Sequence, residues 1–416
     1  MSKLGEVRMA TNNKNNKSGS SKKSSAKSAQ NKAVKKGTKQ AKRIAKKYPV
    51  ATIVFLLILT AVFLVALFYG YYQGWWDFVL DPVDENAPPA HSADGHNTVY
   101  NSDDVAVHFL ELGNKYTGDC VLIDVGETEI LIDAGSKRNS APAIKEYVDN
   151  YCDDGKLEYV IATHAHEDHI AAFVGNATYP GIFKTYEVGT IIDFPKTDST
   201  SGAYKDYVSA RDELVGKGTV HYNALQCWNN EGGAKRTYQI ATGVTLSVLY
   251  QKYYETKAST ENNYSVCVLL TQGGNNFLFT GDLEEAGEKS LAAENNLPKV
   301  KVFKGGHHGS ATSNTDALLS KIQPEIVCVC TCCGSSEYKA SAKNVFPSES
   351  FVNVVSKYTD KIYITTLMND YSKGDFTSMN GNIRVISDGS KITVDCSNNN
   401  TIFKETAWFK ANRTWP

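Results

Sequence analysis

Residues 163–170 read THAHEDHI. Three of the chain's nine histidines and two acids fall within the six positions 164–169. A surface loop gains nothing from such crowding, whereas a metal ion does. The stretch continues the apolar run YVIAT (159–163), so the cluster belongs at the C-terminal end of a strand, where α/β proteins place their sites. A short loop there can splay His164 and His166 toward one point, with Asp168 and His169 facing a second. Imidazole and carboxylate together suit Zn2+, with Mn2+ or Fe2+ as alternatives.

Other strand-like runs end in the same manner. FLFTGD places Asp282 at a strand end, VFKGGHHGS places His307 and His308 at another, and LIDAG places Asp133 at a third. ENNYS, with Asn263 and Ser265, precedes the strand that leads to Asp282. Two strand-end motifs therefore hold five of the nine histidines. Joint occurrence, more than any single residue, points to a site.

Around these motifs a recurring unit appears: a short β-rich run, a loop rich in Gly, Asp or His, then often a helical segment. VAVHFLEL, CVLIDV and EILIDA read as three successive strands, APAIKEYVDNY as a helix, and LEYVIATH as a further strand. A second series runs GVTLSVLY, YSVCVLLTQ, NNFLFTGD, a helix over about 284–293, KVKVFKGG, a helix near Ala317, and EIVCVCTC. This pattern predicts an α/β protein with two mixed sheets covered by helices, an αββα sandwich.

Charge is segregated along the 416 residues. Residues 1–47 carry fifteen Lys or Arg and one acid, Glu6, which leaves the rest of the chain at about -15. The tail offers nothing to bury and reads as a disordered cytoplasmic segment. Val50 to Tyr69 is uncharged over twenty residues, enough to span a hydrocarbon core of roughly 30 Å, and Tyr71, Tyr72, Trp75 and Trp76 follow it as an aromatic belt. The expected organisation is a tail (1–47), one transmembrane helix (48–72), a Pro- and Asp-rich linker (73–97), a main domain (98–396) and a C-terminal extension (397–416). The positive tail places the N-terminus inside the cell membrane and the body outside it. An exported body permits disulfides, but pairings among Cys120, Cys152, Cys227, Cys267 and Cys396 are not readable. CVCTCC (328–333) reads as a buried strand that uses Cys as a small apolar residue.

The order LIDAG, THAHEDHI, TGD, HHGS resembles the metallo-β-lactamase fold, whose signature is HxHxDH. It is most similar to the branch containing the hydrolase-like domain of the competence protein ComEC. VHFLELGNKYTGDCVLID, NNYSVCVLLTQGGNNFLFTGDLE, KVFKGGHHGS and FPSESFVNVV carry that likeness over roughly residues 103–388. The phosphorylcholine esterases of Gram-positive bacteria share the motif layout.

The resemblance implies two divalent metal ions, zinc first, that activate water. His164 and His166 would hold the first metal, Asp168 and His169 the second, and Asp282 would bridge them. One histidine of the HHGS pair would complete the set: His308 is preferred because Gly follows it, which leaves His307 to contact substrate. Asp168 would also orient the attacking oxygen. Asp133 would brace the ligand loops from behind, and Lys304, Asn263 and Ser265 would contact substrate oxygens. A third histidine for the first metal is missing, since His221 in GTVHYNAL reads as an ordinary strand residue.

The reading that follows is a membrane-anchored phosphodiesterase. The acidic body favours a short phosphodiester and disfavours long nucleic acid, whose binding needs a basic track. Two alternatives are an ester, lactone or β-lactam hydrolase, and a surface module that keeps the metals for binding or sensing.

Overall fold

The computed structural model describes residues 96, 98, 100, 101, 103–338 and 341–416. The tail, the apolar segment at 48–72 and the linker up to residue 95 lie outside the described residues. Among the described residues no helix is long and apolar enough to cross a membrane.

Among the described residues, sixteen strands form two eight-stranded mixed sheets. The first holds β1 (Val105–Phe109), β2 (Val121–Val125), β3 (Thr128–Ile132), β4 (Lys156–Ile161), β5 (Glu187–Asp193) and β6 (Val220–Asn223), with β15 (Ile383–Ser387) and β16 (Ile392–Cys396) from the end of the chain. Its order is 16-15-1-2-3-4-5-6. The second holds β7 (Thr237–Ala241), β8 (Val244–Leu249), β9 (Cys267–Gln272), β10 (Asn275–Phe279), β11 (Val302–Lys304), β12 (Ile326–Cys333), β13 (Ile362–Asp370) and β14 (Asp375–Ser378), in the order 14-13-12-11-10-9-8-7.

The alternation of side chains along a strand shows how the layers stack. On β10, Phe277 and Phe279 join the core that also contains Val107 and Phe109 of the first sheet, while Leu278 joins a second core with Leu291, Leu318, Leu319, Phe351 and Val355 from helices. The Phe109 and Phe279 rings stack with centroids 6.4 Å apart. Helices Ala141–Val148 and Glu167–Val174 supply Ile144, Val148 and Phe173 on the outer side of the first sheet. Helix, sheet, sheet, helix is the predicted sandwich.

Cysteines fill the same interior. Cys328 and Cys330 face the first core, and Cys333 with Val327 and Val329 the second, so this strand is apolar on both faces. All nine cysteines are buried and unpaired. Burial raises the thiol pKa at Cys330 to about 12, which keeps it in the protonated, unreactive form.

Both ends of the described chain contact the body. His96 Nε2 lies 2.8 Å from the Tyr147 hydroxyl, and Thr98 N donates to Asp395 Oδ2 at 2.8 Å. In the segment 397–416, Phe403 and Phe409 join the second core. Arg413 also donates to the carbonyls of Ala342, Val345 and Pro347 at 2.9–3.2 Å.

His108 on β1 is fully buried, with Nδ1 2.9 Å from the Tyr147 hydroxyl. Burial first, then the nearby Arg384 and His96, hold its pKa well below 6.5. The unfolded chain gains a proton below pH 6.5 that the folded chain refuses, so this stability is complete above 6.5 and lost below it. Between pH 7.5 and 5.5 the parent protein is expected to lose about 1.4 kcal/mol more than His108→Gln. Urea unfolding at the two pH values measures it, and equal losses in both proteins would refute the assignment.

Candidate metal centre

The loops that follow β3, β4, β10 and β11, together with the turn before β2, converge at one edge of the sandwich. After β4 the chain runs through Thr163 and His164 into the helix Glu167–Val174, with His166 at its N-cap. Asp168 and His169 thus lie in a first helical turn, where a carboxylate is favoured by the unpaired backbone N–H groups. Close backbone packing holds this turn in place: a Cβ on Gly135 would lie 1.5 Å from the Asp168 carbonyl oxygen, so only glycine fits after β3.

His307 and His308 follow β11 with φ of 48° and 54°. Two adjacent non-glycine residues in the left-handed region cost about 1–3 kcal/mol each, a strain found where a site needs it. Gly305, Gly306 and Gly309 surround them in the sequence.

The predicted ligands meet. His169 Nε2 lies 3.2 Å from Asp282 Oδ2, and His308 Nε2 lies 3.3 Å from the same oxygen and 3.4 Å from Asp168 Oδ2. His307 Nε2 is 3.8 Å from Asp282 Oδ2, on a side chain that is still 20% exposed. His164 Nε2 and His166 Nδ1 approach to 2.9 Å, and the His164 and His169 rings have centroids 4.1 Å apart. His221 stays on β6, 2.8 Å from Asp193, and takes no part.

The rear faces of these groups are secured. Asp133 takes His169 Nδ1 at 2.7 Å and accepts from Thr163 N and Thr163 Oγ1, each at 2.7 Å. His308 Nδ1 lies 3.0 Å from Cys330 O and 3.1 Å from Asp119 Oδ1. Each imidazole is therefore held at Nδ1 with Nε2 aimed into the cluster, the arrangement metal-ligating histidines need.

Burial would lower the His169 and His308 pKa values, but Asp282 first, then Asp133 for the former and Asp119 for the latter, raise them well above 6.5. His164 goes the other way: burial, His169 and His166 push it well below 6.5 and leave it neutral. Asp282 stays ionised because His169, His308 and His307 outweigh its burial.

The residues fit a divalent cation. His169 Nε2, His308 Nε2 and Asp282 Oδ1 are buried and have no hydrogen-bond partner. Asp119, His169, Asp282 and His308 each present an atom within 4.8 Å of the others. Asp119, however, reaches the two histidines from their Nδ1 side, at 3.1 Å from His308 and 3.7 Å from His169, and its charge is matched by Lys304. It braces ligands and does not present itself as one.

Three expected substrate contacts are corrected. Lys304 is 1% exposed and ion-paired with Asp119, so its ammonium faces inward. Burial alone would depress its pKa, yet Asp119 and then Asp282 hold it above the ordinary lysine value. Asn263 is buried, with Oδ1 accepting from Glu284 N at 3.2 Å and Nδ2 donating to Thr260 Oγ1 at 3.1 Å. Ser265 is buried too, its Oγ accepting from Asp282 N at 3.1 Å and lying 3.4 Å from His164 Nδ1. Both shape loops and ligands.

Asp119 was missed although the chain signals it: Thr117-Gly118-Asp119 repeats the tripeptide Thr280-Gly281-Asp282. Tyr338 was also missed. Its hydroxyl donates to Asp168 Oδ2 at 3.0 Å, and no motif surrounds it.

A profile of the Metallo-beta-lactamase superfamily matches residues 113–175 and 258–332, the two segments that carry these loops. Recombination protein 2 of Haemophilus influenzae is 34% identical over 87 residues, which is 21% of this chain and 10% of that protein. ComE operon protein 3 of Bacillus subtilis is 29% identical over 178 residues, 41% of this chain and 19% of that protein. The chain thus spans less than a fifth of each relative. Among solved structures, the metallo-beta-lactamase fold protein YhfI from Bacillus subtilis is 12% identical with a TM-score of 0.36, covering 66% of this chain and 99% of that one.

Proposed function

We propose that this chain, with its metallo-β-lactamase-like fold and a cluster of side chains that could hold a metal ion, is a metal-dependent phosphodiesterase held at the outer face of a membrane by residues 48–72. One observation carries the reading: two buried imidazole Nε2 atoms and two carboxylates converge, with both rings held from behind at Nδ1. His164 and His166 would hold one divalent ion, Asp168, His169 and His308 the other, with Asp282 shared. Such ions, zinc by preference over manganese or iron, would supply Lewis acidity and lower the pKa of water. Asp168 orients the attacking oxygen, and His307, at the exposed edge, contacts the substrate.

Among the described residues, His221 pairs with Asp193 and supplies no further ligand beside His164 and His166, which leaves the first position more open and supports phosphodiesters over carboxylic esters, lactones and β-lactams. One relative's name refers to recombination, which brings nucleic acid to mind. A body charge of about -15 nevertheless favours a short phosphodiester over a long polyanion. Full-length protein in detergent, assayed for metal content and against bis(p-nitrophenyl) phosphate, nitrocefin and single-stranded DNA, is expected to contain about two metals and to cleave the phosphate diester. Nitrocefin turnover would favour the ester and β-lactam reading, and metal without turnover a binding or sensing module.

A further inference from the structure

Sealing Lys304 inside the protein leaves an acidic body without the cation expected to meet its anionic substrate. Two side chains beside the THAHEDHI turn can take its place, the exposed Tyr338 at Asp168 and the half-buried Lys137 at Glu167. Tyr338 is 51% exposed, and its ring packs against Phe346 with centroids 5.4 Å apart. Its hydroxyl has one proton to give, now given to Asp168 Oδ2. With Asp168 committed as a ligand, that proton is left for an oxygen of the substrate.

Lys137 follows β3 and lies beside the THAHEDHI turn, within electrostatic reach of Glu337 and Asp168. Its Nζ lies 2.6 Å from Glu167 Oε2 and 5.3 Å from the centre of the Tyr116 ring. Both members of that ion pair are about one-third exposed, at 34% and 36%. Pairs so exposed contribute little and exchange partners readily. Glu167 sits between the ligands His166 and Asp168, so an anion that reaches the centre passes within range of this ammonium. Beyond it, Glu337 Oε2 accepts from Thr117 N at 2.9 Å, which ties the residue before Tyr338 to the turn that carries Asp119.

Resting on the phosphodiesterase reading, we propose that Lys137 and Tyr338 together bind the non-reacting oxygens of the phosphodiester, the role sequence reasoning gave to Lys304. One is a fixed charge and the other a neutral donor, which suits a diester that carries a single negative charge.

The test uses full-length protein loaded with zinc and two readouts: phenylphosphonate affinity by calorimetry, and kcat and KM for bis(p-nitrophenyl) phosphate. Tyr338→Phe keeps the ring and removes only the hydroxyl. Lys137→Met removes the charge, and Lys137→Arg restores it. Each loss of a charge-assisted contact is expected to weaken phenylphosphonate binding about tenfold and raise KM by a similar factor, with metal content and Tm unchanged and with Lys137→Arg near the parent. Parent protein that cleaves the diester, with both variants matching it in affinity and KM, would overturn this assignment and leave the phosphodiesterase reading standing. Parent protein that holds zinc but neither binds phenylphosphonate nor cleaves the diester would overturn both. A fall in metal content in Tyr338→Phe would give the hydroxyl a structural role instead.

Discussion

Asp282→Ala is expected to remove at least half of the bound metal and to lower hydrolysis by more than about a hundredfold. Its Oδ2 is the one atom that faces His169, His308 and His307 together, at 3.2, 3.3 and 3.8 Å. Groups that merely orient a ligand typically cost about 10–100-fold when lost, so a residue shared by the two proposed metal positions should exceed that range. Alanine also leaves His169 and His308 without the carboxylate that most raises their pKa values. Elemental analysis and turnover of bis(p-nitrophenyl) phosphate measure the two losses. A variant with full metal content and full rate would remove the shared role of Asp282 and, with it, the case for a paired site.

The second large effect concerns stability. Asp119 and Lys304 are 0% and 1% exposed and paired with each other. Removing one partner of a buried pair strands the other charge, and Asp119→Ala is expected to cost about 3–5 kcal/mol in urea unfolding. The double variant Asp119→Leu/Lys304→Met, which removes both charges, should recover most of that loss. It should not recover metal affinity, because the carboxylate on His308 Nδ1 is still gone, and a deficit of about 10–100-fold is expected. Single variants as stable as the parent would show that the pair is not closed to water.

Much of this was legible in the linear chain, for a definable reason. THAHEDHI, TGD and HHGS announce themselves because ligands cluster at strand ends and the strands are written in Val, Ile and Leu. The alternation of CVCTCC placed its sulfurs correctly in the core. Four features stayed hidden. Lys304 looked like a solvent-facing cation because its partner, Asp119, lies far away in sequence and is brought close only by the packing of the two sheets. Asp119 looked like a turn residue, since Thr-Gly-Asp between strands is ordinary turn chemistry. The ending NNNTIFKETAWFKANRTWP looked unplaceable because its apolar residues have no period, yet Phe403 and Phe409 each fill a gap in the second core. β13, IYITTLMND, lies between β12 and β14 and is nearly as buried as β12, but polar Thr and Asn residues blurred its signal.

The pairing of β1 with β15, Val105 against Ser387 through Phe109 against Ile383, has a further consequence. The opening strand of the first sheet finds its neighbour only when nearly the whole polypeptide is available. During synthesis the early strands must wait, exposed, while later ones emerge, and such long-range closure makes assembly slow. A chain truncated before β15 therefore yields no usable fragment, and quality-control proteases have a long interval in which to act.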